Sequence, residues 1–233
     1  MKLGIITAMS SERNLTAQLL ENKHEYKGRL FSYTEGTIGG NTIILAQSGI
    51  GKVNSALGAM EMINEHHPDA IINTGVAGGI DTSLNVMDVV VGERTVYHDM
   101  WCGDGNEWGQ VQDLPTYFEG DKNLRDIALK VKADSKVVSG LICTGDQFIS
   151  DADQLHKIKA KFPQGLAVDM ESNSIAQTCY LLKTPFLSFR IISDIPGVEN
   201  RYAQYQDFFG MMATRSFHSS KNSESRNFLG YGS

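Results

Sequence analysis

Short β-branched or aliphatic runs alternate along this chain with stretches whose apolar residues recur at helical spacing, and that alternation limits it to an α/β domain built on a largely parallel or mixed sheet. The runs predict strands at 2–7, 31–38, 42–48, 69–74, 87–95, 137–144, 165–169 and 186–193. Gly39-Gly40-Asn41 between the second and third runs supplies positive φ cheaply, so those two strands are expected to pair as an antiparallel hairpin within a mixed sheet. Helices are expected at 11–22, 51–66, 121–132, 152–161, 171–182 and from about 204. In the second of these, Val53, Ala56, Leu57, Met60 and Ile63 share one face, and the stripe is read as core. The irregular stretch 97–119, with Trp101, Trp108, three glycines and Pro115, suits a functional loop or a subunit contact.

A chain of 233 residues that is 41% hydrophobic can bury one large core, so residues 1–218 are read as a single domain. Residues 219–233 carry serines and few apolar positions, and they are expected to fray as a polar tail. A formal charge of −6 and a pI near 5.5, with scattered cations, argue against a nucleic-acid footprint and favour a small-molecule ligand. Cys102, Cys143 and Cys179 form no Cys-x-x-Cys pair and indicate reduced thiols. The apolar stretch Leu3-Gly4-Ile5-Ile6 is too short for a signal-peptide core or a membrane span, so a soluble, cytoplasmic protein is expected.

Ligands of open α/β sheets collect where strands end, because helix N-termini and loop amides point there. Four elements stand at such ends: Ala8-Met9-Ser10-Ser11-Glu12 after the first strand, Gly75-Val76-Ala77-Gly78-Gly79 as a strand-to-helix turn, Asp169-Met170-Glu171, and Ser193-Asp194. Each has an ordinary reading. Glu12, Asp169 and Glu171 can complement helix dipoles, Asp194 can be a turn residue, and the glycines serve any tight turn. Together they crowd carboxylates at one sheet edge, where like charges repel and need a reason to stay.

Weaker signals exclude more than they support. Gly49-Ile50-Gly51-Lys52 could cradle an anion at a helix start, but it lacks the spacing of a P-loop. No histidine pair has metal-ligand spacing, so no metal is expected, and His98 reads as a structural histidine. No Gly-x-Ser-x-Gly elbow supplies a hydrolase nucleophile.

From residue 1 to about 218 the chain resembles the methylthioadenosine/S-adenosylhomocysteine nucleosidases of the nucleoside phosphorylase superfamily. The blocks that carry the likeness are Gly4-Ile5-Ile6 through Glu12, Ser48 to Val53, Ile72 to Gly75 with Ala77-Gly78-Gly79, Tyr97-His98-Asp99, Gly145-Asp146 with Phe148-Ile149, Ala167 to Glu171, and Arg190 to Asp194. The resemblance implies a three-layer α/β/α sandwich around a mixed, partly barrel-like sheet, in a homodimer that uses no cofactor. It also implies hydrolysis of the adenine–ribose bond in methylthioadenosine and S-adenosylhomocysteine, with 5'-deoxyadenosine a further candidate, in methionine salvage and S-adenosylmethionine recycling.

On that resemblance Glu12 is the base that activates water, and Asp194, supported by Ser193, is the acid that protonates adenine N7. Glu171 and the Met170 backbone hold the ribose hydroxyls, and Arg190 orders Glu171 and the water. Phe148 stacks on the purine and the Ile149 backbone reads its edge. Val76, Ala77, Gly78, Val168 and Asp169 complete the substrate wall. Met9, Ile50 and an aromatic at Tyr205 or Phe208 line the 5'-thioether pocket, closed by loop 101–115 of the other subunit. Chemically the scheme needs Asp194 protonated and Glu12 ionised, so that an oxocarbenium-like state is stabilised and the purine leaves neutral.

The chain departs from the family pattern at Asp169, where glutamate is usual, at Val76, where serine is frequent, in loop 101–115 and in the tail. Three other readings stay open: a phosphorylase on the same fold, an aminodeoxyfutalosine hydrolase, and a catalytically silent nucleoside-binding protein.

Overall fold

The computed structural model describes residues 1–131 and 135–195. Its elements run β1 (Lys2–Thr7), α1 (Ser10–Gln18), β2 (Glu21–Lys27), β3 (Ser32–Ile38), β4 (Asn41–Gln47), α2 (Lys52–His66), β5 (Ala70–Gly79), β6 (Val89–Tyr97), β7 (Phe118–Glu119), α3 (Lys122–Ala128), β8 (Val137–Thr144), α4 (Ala152–Lys161), β9 (Gly165–Asp169), α5 (Ser172–Leu182) and β10 (Phe186–Asp194). The ten strands form one mixed sheet, nine of them in the order β10-β6-β8-β9-β5-β1-β4-β3-β2, with the two-residue β7 paired antiparallel to β6. Because β10 also pairs with β5, the strands β5, β10, β6, β8 and β9 close into a barrel, and β1, β4, β3 and β2 extend from it as an open sheet.

The long strand β5 belongs to both parts. Its first half pairs with β1, from Leu3 opposite Ala70 to Ile6 opposite Asn73, while its end pairs with β9 at Gly78 and Gly79. β10 runs beside it from Ile71 to Gly78. The segment 75–79 is therefore strand and not the expected strand-to-helix turn, since two neighbours supply its ladder bonds. One interior side chain from each barrel strand, Ala77, Val90, Ile142, Ala167 and Ile192, meets in a single buried cluster.

Helices cover the open sheet on both faces, which gives the expected three layers. On one side α2 and α5 bury Ala59, Met62, Ile175 and Ala176 against Ile6, Ile44, Ile71 and Phe186. On the other, Leu3, Ile5, Ile43, Leu45 and Ile72 pack beneath Ala17 of α1 and Leu124 of α3. Gly39 and Gly40, at φ 53° and 82°, make the turn of the expected β3–β4 hairpin.

Two further expectations need correction. The helix expected at 11–22 ends at Gln18, and Glu21–Lys27 forms β2, paired antiparallel to β3. Its alternation is masked by charge, because all but one of its residues are exposed. In α2 the stripe read as core is largely outside: Val53, Leu57 and Met60 are exposed, and Ala56 is half-buried. Ile63 is buried, but the buried residues are otherwise Ser55, Gly58, Ala59, Glu61 and Met62. Small residues win this face because α5 lies close, with the Ser55 and Ser174 hydroxyls 2.6 Å apart, and because a Cβ at Gly58 would stand 2.8 Å from that of Ser48. The helix expected from 204 and the tail 219–233 lie outside the described residues.

Candidate active site

The strand ends converge on a cavity of about 110 Å³ lined by Met9, Glu12, Ile50, Val76, Ala77, Gly78, Phe148, Ile149, Val168, Asp169, Met170, Glu171, Ser193 and Asp194. Ala8, the first residue of the strand-end element that carries Glu12, lines it as well, as does Gln147, which no sequence signal singled out. Arg190 lies behind this wall with no exposed surface. Tyr205 and Phe208 lie outside the described residues.

Glu12 reaches the cavity from the first turn of α1. Its Oε2 accepts the amides of Ala8 (3.0 Å) and Met9 (2.9 Å), and its Oε1 accepts that of Val76 (3.0 Å). The ordinary reading of Glu12 as a partner of its own helix N-terminus is thus correct in part, since Met9 precedes the helix. The bond to Val76 also ties it to β5. A Cβ at Gly75 would collide with the Glu12 carboxylate and stand 2.8 Å from Arg190 Nη1, so only glycine lets the two side chains close over this strand.

Arg190 is the only buried guanidinium among the described residues, and it faces several carboxylates. Its Nε lies 2.8 Å from Asp169 Oδ2, and its Nη2 donates to Glu171 Oε2 at 3.3 Å and to Asn73 Oδ1 at 2.5 Å. Burial pulls its pKa down, but Asp169, Glu171 and Glu12 outweigh that and raise it. Asp169, expected beside the ribose site, spends its oxygens inward on Arg190, on the Thr144 hydroxyl at 2.6 Å, and on the hydroxyl and amide of Ser172. The shorter side chain therefore acts on Arg190. Ser172 and Asn73 were missed as supports; a polar Asn73 inside the apolar run Ile71-Ile72 was the available signal.

Glu171, at the N-cap of α5, accepts the Gly51 amide at 3.1 Å in addition to Arg190. Burial pushes its pKa up, Arg190 opposes, and Asp169 adds to the rise, leaving it near 7. Arg190 is shared with Asp169, so its pull on Glu171 does not overcome the cost of burial. On the opposite wall Asp194, 1% exposed, accepts the Ser193 hydroxyl at 2.5 Å. Phe148 stands half-open on the cavity and Ile149 is buried.

The anion-cradle reading of 49–52 fails on occupancy. The Gly51 amide is taken by Glu171 and the Lys52 amide by Asp146 Oδ1 at 2.8 Å, while Lys52 Nζ holds Asp99 at 2.9 Å. His98 is buried beneath Gly145 and does not line the cavity, and burial lowers its pKa. No cluster of side chains suited to a metal occurs among the described residues.

A closed barrel fused to an open sheet, with acidic groups gathered at the strand ends, defines the class: the sequence pattern of the phosphorylase superfamily matches residues 2–221, and the chain belongs to that superfamily. Its relatives there include 5'-methylthioadenosine/S-adenosylhomocysteine nucleosidases. That of Pseudoalteromonas translucida is 42% identical over 95% of this chain and 94% of its own length, and that of Haemophilus influenzae strain PittEE is 39% identical over 93% and 95%. Among solved structures, the nucleosidase of Colwellia psychrerythraea in complex with adenine superposes with a TM-score of 0.89 at 36% identity, covering 99% of this chain and 95% of that one. The Neisseria meningitidis enzyme in complex with methylthio-immucillin-A gives 0.88 at 35% identity, covering 98% of each.

Proposed function

We propose that this protein is an N-glycosidase that hydrolyses methylthioadenosine and S-adenosylhomocysteine to adenine and the corresponding 5'-thioribose. The observation that carries the reading is that Glu12 from α1, Glu171 from the β9–α5 junction and Asp194 from the end of β10 line one cavity with Phe148 and Ile149. In this reading Glu12 takes a proton from water as its oxygen attacks the anomeric carbon. The carbon–nitrogen bond to the purine breaks, and Asp194 delivers a proton to N7 so that adenine leaves neutral. Ser193 orients Asp194. Glu171 accepts the ribose hydroxyls, with the Met170 backbone assisting, and its negative charge offsets the positive charge growing on the ring. Phe148 stacks on the purine, the Ile149 backbone reads its edge, and Met9 and Ile50 border the thioether.

Hydrolysis is favoured over phosphorolysis by the fate of the cations. Lys52 is committed to Asp99, and Arg13 to Glu25 at 3.0 Å and Thr34 at 2.6 Å, while the carboxylates nearest the ribose would repel phosphate. The exposed apolar residues Val53, Leu57 and Met60 of α2, together with Trp101, support a homodimer in which loop 101–115 closes the partner's site. No helix among the described residues is long and apolar enough to cross a membrane. A cytoplasmic location is part of the proposal, in keeping with three free cysteines.

The test is adenine release from methylthioadenosine in phosphate-free buffer by wild type, Glu12→Gln and Asp194→Asn. Wild-type release that falls roughly 10²-fold or more in both variants is expected. Release that requires added phosphate would mean a phosphorylase, and no release from either thioether would mean a silent binder or a different 5'-substituent.

A further inference from the structure

The loop between β8 and α4, which carries Phe148 and Ile149, is anchored at Asp146 by residues from two other elements. The Asp146 amide donates to Asp99 Oδ2 at 2.9 Å, just beyond the end of β6. Its carboxylate accepts the Lys52 amide at 2.8 Å, at the first residue of α2. Lys52 Nζ binds both Asp99 oxygens at 2.9 Å and stands 3.7 Å from Asp146 Oδ2. It also lies 5.3 Å from the centre of the Tyr97 ring, at the end of β6.

A lysine here is misplaced by the usual rule, since a cation at a helix N-terminus opposes the macrodipole. The first turn of α2 has no acidic residue of its own, and the missing negative charge comes from Asp146 and Asp99 in the loops after β8 and β6. The Lys52 and Asp99 side chains are only 22% and 18% exposed, so this pair is less screened than an ordinary surface ion pair. The residue before Lys52 is Gly51, whose amide holds Glu171. One side chain thus joins the loop bearing Phe148 to the turn that orients Glu171.

Resting on the reading of this cavity as a purine-ribose site, we propose that Lys52 is a positioning residue: through Asp99 and Asp146 it fixes the purine-facing loop relative to the helix turn that holds Glu171. Without the ammonium, Asp99 and Asp146 repel and the loop moves off its register with the ribose wall. Because Phe148 and Ile149 face the base in this reading, the loss falls first on purine affinity.

The experiment compares wild type, Lys52→Met, Lys52→Arg and Asp146→Asn for adenine affinity by calorimetry, for KM and kcat on methylthioadenosine, and for thermal midpoint. In Lys52→Met, adenine Kd and substrate KM are expected to rise roughly tenfold or more with a smaller fall in kcat, as for a misplaced binding group. Lys52→Arg is expected to recover most of the loss. A folded Lys52→Met whose adenine Kd and KM stay within about twofold of wild type would overturn the proposal, as would equal losses in the Met and Arg variants. Should Lys52→Met not fold, Asp146→Asn, on a half-exposed side chain, decides: a raised adenine Kd supports the clamp and an unchanged one overturns it. Wild-type turnover in phosphate-free buffer tests the function itself, whereas the clamp is read from ratios between variants, so the two fail separately.

Discussion

Glu61 and Glu171 are glutamates buried to the same degree, 6% and 5% exposed, at two ends of the same molecule. Glu61, in α2, spends its oxygens on the amides of Leu30 (2.8 Å) and Phe31 (3.2 Å) and on the Tyr33 hydroxyl (3.0 Å). It does not line the cavity that Glu171 lines, and it staples the turn before β3 to the helix. Glu171 accepts one amide and a shared guanidinium, and its carboxyl opens on the cavity. Burial of a carboxylate is therefore no mark of function. The mark is acceptor capacity left facing open space, maintained by a cation that is itself overcommitted.

That contrast can be broken most severely at its cation. Arg190→Met strands Asp169 and Glu171 without their counter-charge and is expected to cost about 3–5 kcal/mol of stability in denaturant unfolding, the usual penalty for halving a buried pair. A loss below about 1 kcal/mol would mean that the pair behaves like a surface one. Next comes Glu171→Gln, expected to lower kcat/KM roughly tenfold to a hundredfold, the worth of hydrogen bonds to a charged group, while leaving the unfolding midpoint at pH 8 unchanged or higher. Glu61→Ala should do the reverse, costing about 1–3 kcal/mol for its stranded donors with steady-state kinetics intact. Equal kinetic damage from both glutamates would abolish the distinction.

A gentler separation uses pH. Because the Glu171 pKa is raised, the folded protein binds a proton that the unfolded chain has released. Its contribution to stability is fully present below the ordinary glutamate value of 4.5 and is lost as pH rises through about 7. Denaturant titrations across that window should show wild type losing stability relative to Glu171→Gln as pH rises, and parallel curves would rule the raised pKa out. Smallest in its effect on the fold is Leu57→Asp on the exposed face of α2. The subunit's own stability should move by no more than about 0.5 kcal/mol, while sedimentation shifts from dimer toward monomer; an unshifted boundary would take this face out of the proposed interface.

The cavity wall was largely legible in the sequence because its residues stand at strand ends, where runs of Val, Ile and Leu stop at acidic or glycine-rich steps, as at Val168-Asp169 and Ile192-Ser193-Asp194. Strands at 2–7, 137–144 and 165–169 begin and end where their apolar runs do. What was not legible depends on partners distant in sequence. The strand character of 75–79 comes from β9 and β10, the exposure of Val53, Leu57 and Met60 from the close seat of α5, and the inward turn of Asp169 from Arg190. β2 hid because its pattern is polar on both faces, which leaves periodicity nothing to detect.

Closing five strands into a barrel also changes how the molecule can fail. The open sheet has one full-length lateral edge among the described residues, and it is β2, where Glu21, Lys23, Glu25 and Lys27 occur at every second position. A strand from another molecule seeking to template there would have to strip water from charges of both signs in register. The most polar strand of the fold, silent in any account of catalysis, thus serves as its guard against fibril growth at working concentrations.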